Sequence, residues 1–225
     1  MSVKLISISK PEIQGVKNAE DLIAYCARVS NPNNQLNTET APKLLKYLIK
    51  HKHWSPFEMA SMTLEIKTSR AIAAQILRHR SFSFQEFSQR YSEALNSCPV
   101  ELRKQGETNR QVGDELIDPI IMDEWFAEMT RPASGIIEDF TDFAFKTYER
   151  LINAGVARES ARMFLPLSTE TTMYMSGSLR SWIHYIDLRS QEETQKEHRQ
   201  IAEGCKRIFL DKFPTLSEAL EWNNS

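Results

Sequence analysis

Apolar positions recur along the chain at two different spacings, and these divide it into elements. Residues 3–8 (VKLISI) alternate in part and predict a short first strand. Residues 21–29 carry a helical repeat that Asn31, Pro32, Asn33 and Asn34 bring to a stop. Residues 40–51 predict a second amphipathic helix, with Leu44, Leu45, Leu48 and Ile49 on its apolar side. Met62, Leu64 and Ile66 then alternate with Thr63, Glu65 and Lys67, so residues 59–67 predict a half-buried strand. Thr68 or Ser69 can cap the helix that follows, which the pattern carries through His79. From about Asp118 the chain reads as mostly helical, with Pro132 and Gly135 interrupting and Gly155 ending a long stretch. Residues 171–176 alternate again, and helices near 178–189 and 192–211 finish the chain before Pro214.

These elements imply an α+β fold: one central sheet flanked by several helices, in a single domain spanning residues 1–225. The repeating βαβ order of a Rossmann fold is missing, and no GxGxxG is present. A variable polar excursion is expected near residues 95–135, and residues 101–115 are its most apolar-poor part.

Composition narrows the function classes. The 28 Lys and Arg against 30 Asp and Glu give a net charge of −2, without the basic excess of a protein that coats nucleic acid. Local basic clusters therefore read as sites. Cys26, Cys98 and Cys205 are far apart and form no CxxC pair, so neither a metal knuckle nor a disulfide framework is implied, and no metal is expected. Scattered thiols fit a reducing cytoplasm. The apolar stretch before Pro11 is too short for a signal peptide, and no run approaches a membrane span, so a soluble cytoplasmic protein is expected.

The densest polar stretch is residues 78–92, RHRSFSFQEFSQRYS, with three arginines, one histidine, four serines, two glutamines and Glu86. On the predicted helix Gln75, Arg78 and His79 stand at i, i+3 and i+4 and share a face. Arginine's planar fork gives a phosphate two parallel charge-assisted hydrogen bonds, and serine hydroxyls complete such a cradle. Glu86 suits a sugar hydroxyl or the orienting of an arginine, and Phe82, Phe84, Phe87 and Tyr91 offer stacking surface. Composition alone takes this no further than a candidate anion site, because a solvated helix end would have the same make-up. Arg158 and Arg162 stand at i, i+4, where like charges repel unless an anion or a carboxylate such as Glu159 or Glu170 lies near. Ser178 stands at a predicted helix start, where a small cap and free N–H groups favour an anion.

The order of residues goes further. Arg78, His79, Arg80, Ser83, Glu86, Ser88, Arg90 and Tyr91 spell R-H-R-x-x-S-x-x-E-x-S-x-R-Y, which resembles the signature of flavin-dependent thymidylate synthases. Residues 51–58 (HKHWSPFE), 155–167 (GVARESARMFLPL) and 178–189 (SLRSWIHYIDLR) resemble further segments of that family in the same order, from about residue 20 to 210. The resemblance implies a homotetramer with FAD between subunits. It also implies reductive methylation of dUMP to dTMP, with methylenetetrahydrofolate as carbon donor and NADPH as reductant. By that resemblance Arg78, His79, Arg80, Glu86, Ser55, Glu58, Ser178, Leu179, Arg180 and His184 would contact FAD, and His53 would lie near the flavin and folate. Gln75, Arg78, Glu86, Ser88, Gln89, Arg90 and Arg162 would hold dUMP, and Arg189 would polarise its pyrimidine. Gln85, His184 and Ser178 depart from the family's more usual Asn at those positions. A sister activity making hydroxymethyl-dUMP on the same scaffold, and a non-catalytic nucleotide- or RNA-binding protein, are the alternative readings. No nucleic-acid or membrane partner is expected.

Overall fold

In the computed structural model, residues 1–91, 96–107, 113, 115–123 and 129–222 are described. In chain order the elements are β1 (Ser2–Ile8), α1 (Ala19–Ala27), α2 (Ala41–Lys50), β2 (Ser61–Ser69), α3 (Arg70–Ile76), β3 (Ser83–Glu86), β4 (Ile120–Asp123) and β5 (Met129–Pro132). After these come α4 (Ala133–Asn153), α5 (Arg158–Ala161), β6 (Glu170–Ser178), α6 (Leu179–Arg189), α7 (Lys196–Lys212) and α8 (Pro214–Ala219). The central sheet has the order β1-β2-β6-β3 with every pair antiparallel, as expected of an α+β fold that is not Rossmann.

Alternation in β2 and β6 gives the sheet one buried face. Leu64 stands opposite Met175 and Ile66 opposite Met173, and all four are fully buried. On the other face Thr63 donates to Ser176 Oγ at 2.8 Å. Helices α3, α6 and α7 cover the apolar face, and α1, α2 and α8 pack outside them. Trp182 of α6 is the largest fully buried side chain among the described residues; its indole N–H donates to the Met62 carbonyl at 2.8 Å. The ring lies 4.8 Å from Phe82, so the core reaches directly beneath the arginine-rich turn. Gly177 makes that turn possible: a Cβ there would stand 2.5 Å from the Phe82 ring, where no side chain fits.

Local chemistry sets the helix starts. Ser69 accepts from Ile72 N at 3.4 Å and Ser178 from Ser181 N at 3.3 Å, so both caps fall where small hydroxyl residues were expected. Glu20 is buried, and burial raises its pKa, yet it accepts from Leu216 N at 2.7 Å and so ties α1 to the start of α8.

Several expectations shift. The strand read at 59–67 runs two residues later, as β2. Helix α3 stops at Ile76 instead of His79, and Arg78 N and His79 N turn back to Gln75 and Ile76 at 3.3 and 3.0 Å, placing R-H-R in a turn. Ser83–Glu86 is an edge strand paired with β6, where the sequence reads as a polar loop. The helical reading from Asp118 is corrected by the β4–β5 hairpin, and Pro132 is the cap of α4 instead of a break within it. The polar excursion at 95–135 carries that hairpin and a bridge between Arg103 and Leu116; residues 95, 108–112, 114 and 124–128 of it lie outside the described residues. Among the described residues, no helix is long and apolar enough to cross a membrane.

Candidate active site

Helix α6 is the spine of the site. At its start Arg180 pairs with Glu58 at 2.9 Å, and the exposed His184 meets the edge of Trp54 at 4.9 Å between centroids. Pro56 opens the 3₁₀ turn Ser55–Met59, which presents Ser55 and Glu58 to solvent beside that helix start. Ser55, Glu58, Ser178, Arg180 and His184 therefore gather around the N-terminal half of α6. Leu179 is there too, but its side chain is core and its N–H is committed to the Ala60 carbonyl at 2.8 Å. His53 is exposed, with its ring 6.1 Å from those of Tyr47 and His51.

At the other end of α6, Arg189 Nε donates to His79 Nε2 at 2.9 Å. Burial, and then the Arg189 charge, lowers the His79 pKa to about 4, so at neutral pH the imidazole is uncharged and accepts while Arg189 keeps its charge. The His79 ring stands edge-on to Tyr185 at 4.9 Å and to His198 at 6.1 Å. His198 is fully buried and lowered to about 3 by burial, Arg189 and His79, in that order. Tyr185 Oη lies 3.2 Å from His198 Nε2, and Gln75 Oε1 lies 3.2 Å from His198 Nδ1.

The sign of the histidine shifts yields a prediction. Both folded pKa values lie below the ordinary 6.5, so the folded chain binds fewer protons than the unfolded one. The stability they contribute is present above pH 6.5 and is lost as pH falls through about 4 and 3. The melting temperature is expected to fall between pH 6.5 and 4, and to fall less in a His198→Leu variant, when followed by circular dichroism. Equal slopes would contradict the neutral assignment.

The remaining candidates sit near β3 and beyond it. Glu86 accepts from Arg70 at 2.9 Å and from Thr171 Oγ1 at 3.0 Å, and Arg70 also donates to the Phe87 carbonyl at 2.8 Å. Ser88 Oγ accepts from Arg90 N at 3.4 Å, and the Arg90 guanidinium lies 6.0 Å over Tyr91. Gln89 is buried with no hydrogen-bond partner for Nε2 among the described residues, and the same holds for Arg162 Nε. Arg78 and Arg80 are exposed. Among the described residues, Arg78, Arg80, Arg90 and Arg162 form no ion pair. The shared helix face read for Arg158 and Arg162 is corrected: α5 ends at Ala161, and Arg162 caps it and begins a 3₁₀ turn. No hydrogen bond joins the Arg162 side chain to the Ser88–Arg90 turn among the described residues. Gln75 and His79 both meet His198, whereas Arg78 does not.

Sequence reasoning missed Arg70, Tyr185, Gln195 and His198. Tyr185 stands one helical turn before Arg189, a spacing that was available. Gln195 and His198 join the site across more than a hundred residues of chain, and Arg70 reaches Glu86 from α3 across the turn before β3, which no local pattern carries.

Four uncommitted guanidinium groups, the capped start of α6 and the orphan Gln89 and Arg162 donors fit phosphate-bearing ligands. Two cavities, of about 300 and 270 Å³, lie away from these arginines: one between Asp123, Arg131, Phe140 and Phe143, the other beside Cys98, Arg103, Gln195 and Glu197.

Comparison with known proteins identifies the family. A family model described as thymidylate synthase complementing protein matches residues 13–215. The chain is 51% identical to a probable flavin-dependent thymidylate synthase of Paramecium bursaria Chlorella virus 1, over 99% of this chain and 100% of the relative. It is 49% identical to the flavin-dependent thymidylate synthase of Synechocystis, over 99% of this chain and 100% of that protein. The crystal structure of the UMP/dUMP methylase PolB from Streptomyces cacaoi, bound with 5-Br dUMP, superposes with a TM-score of 0.76 at 25% identity, covering 98% of this chain and 94% of that one. Those two relatives are named for a transferase reaction that uses flavin. The chain belongs to the thymidylate synthase complementing protein family, that of the flavin-dependent thymidylate synthases.

Proposed function

We propose that this chain converts dUMP to dTMP by reductive methylation. The observation that carries this reading is Arg189, a cation at the end of α6 held at Nε by a neutral histidine and paired with no carboxylate among the described residues. A charge fixed in that way favours the negative charge that develops on a pyrimidine when its C5 is made nucleophilic. When bound, FAD supplies the hydride, drawn from NADPH, and methylenetetrahydrofolate supplies the carbon. Ser55, Glu58, Ser178, Arg180 and His184 are the residues that hold FAD in this reading, along with Arg78, His79 and Arg80. His53 faces the flavin and folate. Gln75, Glu86, Ser88, Gln89, Arg90 and Arg162 hold the nucleotide, with Arg162 and Arg90 on its phosphate. Glu86, fixed by Arg70 and Thr171, accepts and cannot donate, which suits a sugar hydroxyl.

The candidates His53, Ser55, Glu58, Arg78, Arg80, Arg90, Arg180 and His184 are exposed, and Phe140, Phe143, Met163 and Phe164 are exposed apolar groups on α4 and the 3₁₀ turn after α5. Both features support a homotetramer whose sites close between copies. The three free thiols support a reducing, cytoplasmic setting.

A thiolate route to the same product is disfavoured by burial. Cys205 is fully buried with its thiol pushed far up, and burial raises Cys26 and Cys98 as well. The triple variant Cys26→Ala, Cys98→Ala, Cys205→Ala is expected to retain turnover within about threefold, since none of these groups is placed to attack. A folded triple variant without activity would reopen a thiol mechanism.

The direct test is the mass of the nucleotide after incubation with dUMP, methylenetetrahydrofolate, NADPH and FAD, with UMP run in parallel. A gain of one methylene group on dUMP is expected. A gain of a hydroxymethyl group would assign the sister activity instead, and unchanged nucleotide would leave a binding protein.

A further inference from the structure

Behind Gln75 runs an unbroken series of polar contacts that the reaction itself does not require. Gln75 Nε2 donates to Gln195 Oε1 at 2.7 Å, and Gln195 Nε2 donates to Glu197 Oε2 at 2.9 Å. Glu197 is paired with Arg103, which also meets Glu101 at 3.2 Å, and Glu101 takes Lys196 at 2.6 Å. On the other side Gln75 Oε1 faces His198 Nδ1 at 3.2 Å, and His198 Nε2 faces Tyr185 Oη at 3.2 Å.

The donor and acceptor roles follow from the charged end. A carboxylate held by an arginine can only accept, so Gln195 must turn its NH₂ toward Glu197 and its carbonyl toward Gln75. Gln75 must then give an N–H to Gln195, which leaves its carbonyl for His198. That carbonyl needs a donor, so His198 carries its proton on Nδ1, and Nε2 accepts from the Tyr185 hydroxyl. Every group in the series has one orientation, set by the Arg103–Glu197 pair. One hydrogen of Gln75 Nε2 is left over, with no partner among the described residues.

We propose that Arg103, Glu197, Gln195, His198 and Tyr185 form a relay that fixes the direction of the Gln75 amide, so that Gln75 meets the bound nucleotide as a hydrogen-bond donor. Glu197 and His198 are thereby positioning residues for dUMP, which they do not touch. This inference rests on the reading of Gln75 as a dUMP ligand given above. A rotated Gln75 would place its carbonyl toward the nucleotide and lose the contact, whereas the proposed FAD residues around the start of α6, Ser55, Glu58, Ser178, Arg180 and His184, have no member in the relay.

The test measures dUMP binding by calorimetry on FAD-loaded protein, with flavin content read separately from absorbance. His198→Leu removes the Nδ1 donor, while His198→Asn keeps an amide N–H at nearly the same place. Relative to wild type, His198→Leu is expected to weaken dUMP about tenfold and His198→Asn by no more than about threefold, with flavin content unchanged in both. Glu197→Gln, at the partly exposed end of the relay, frees its direction and is expected to weaken dUMP about three- to tenfold without a change in buried packing. It keeps the proposal testable if His198→Leu does not fold. Wild-type dUMP affinity in Glu197→Gln and His198→Leu would overturn the relay and leave the proposed function standing. Equal losses in His198→Asn and His198→Leu would overturn it too, since bulk and not the donor would then matter. Wild-type protein that takes up no dUMP would overturn both the relay and the reading beneath it.

Discussion

Arg189→Ala is expected to keep its flavin and to lose turnover by about 10²–10³-fold, the usual cost of removing one preorganised charge from a reacting centre. The guanidinium hangs from the last residue of α6 and is steered by a single hydrogen bond to His79 at 2.9 Å. Burial is the larger cause of the lowered His79 pKa and persists in the variant, so the imidazole still disfavours a proton at neutral pH and brings no replacement charge. Most of the proposed flavin residues, Ser55, Glu58, Ser178, Arg180 and His184, gather around the N-terminal half of α6, so flavin content is expected to stay near wild type even though His79 loses its Arg189 contact. Steady-state kinetics with flavin content measured in the same samples checks this. Turnover within about threefold of wild type would remove Arg189 from the role of charge stabiliser.

Trp182→Ala is expected to cost about 3–5 kcal/mol of stability, the range for truncating a buried tryptophan. Trp182 has no exposed surface, donates to the Met62 carbonyl at 2.8 Å, and packs edge-on against Phe82 at 4.8 Å and Tyr185 at 5.9 Å. The loss therefore joins core stability to the site: Phe82 supports the arginine-rich turn and Tyr185 ends the relay. For a chain of this size the melting temperature should fall by about 10 °C. A fall below about 3 °C would mean that the core beneath the turn carries little of the stability.

The parts of the fold that were legible in the sequence are those where one chemical reason decides the outcome. The alternation in β2 and β6 is visible because one face is buried and the other polar, and Ser69 and Ser178 are visible as caps because each stands directly before an apolar helical repeat. The end of α3 was not legible: no Gly or Pro follows Ile76, and the stop comes from Phe82 seating against Gly177 of a strand almost a hundred residues away. β3 was hidden because its four residues are only partly apolar and gain their ladder from β6. The run Ile120, Ile121, Met122 suits a helix as well as a strand, and only pairing with β5 decides.

The site divides in the same way. The arginine-rich turn and Arg189 could be read from residue order, since the signature spaces them locally. Glu86 could be placed in a site but not given its partner, because Arg70 and Thr171 reach it from α3 and β6. His198 gave no signal at all: in sequence it is one histidine in a charged helix, and only burial makes it part of the site.

The measurement that tests the central claim most directly is an absorbance spectrum of the purified protein, before and after NADPH and dUMP are added without oxygen. Flavin bands near ~375 and ~450 nm that bleach on reduction are expected, as for an enzyme that passes hydride through FAD. A colourless protein that takes up no added FAD would contradict the account, and the arginine-rich turn would then be an anion site without flavin chemistry.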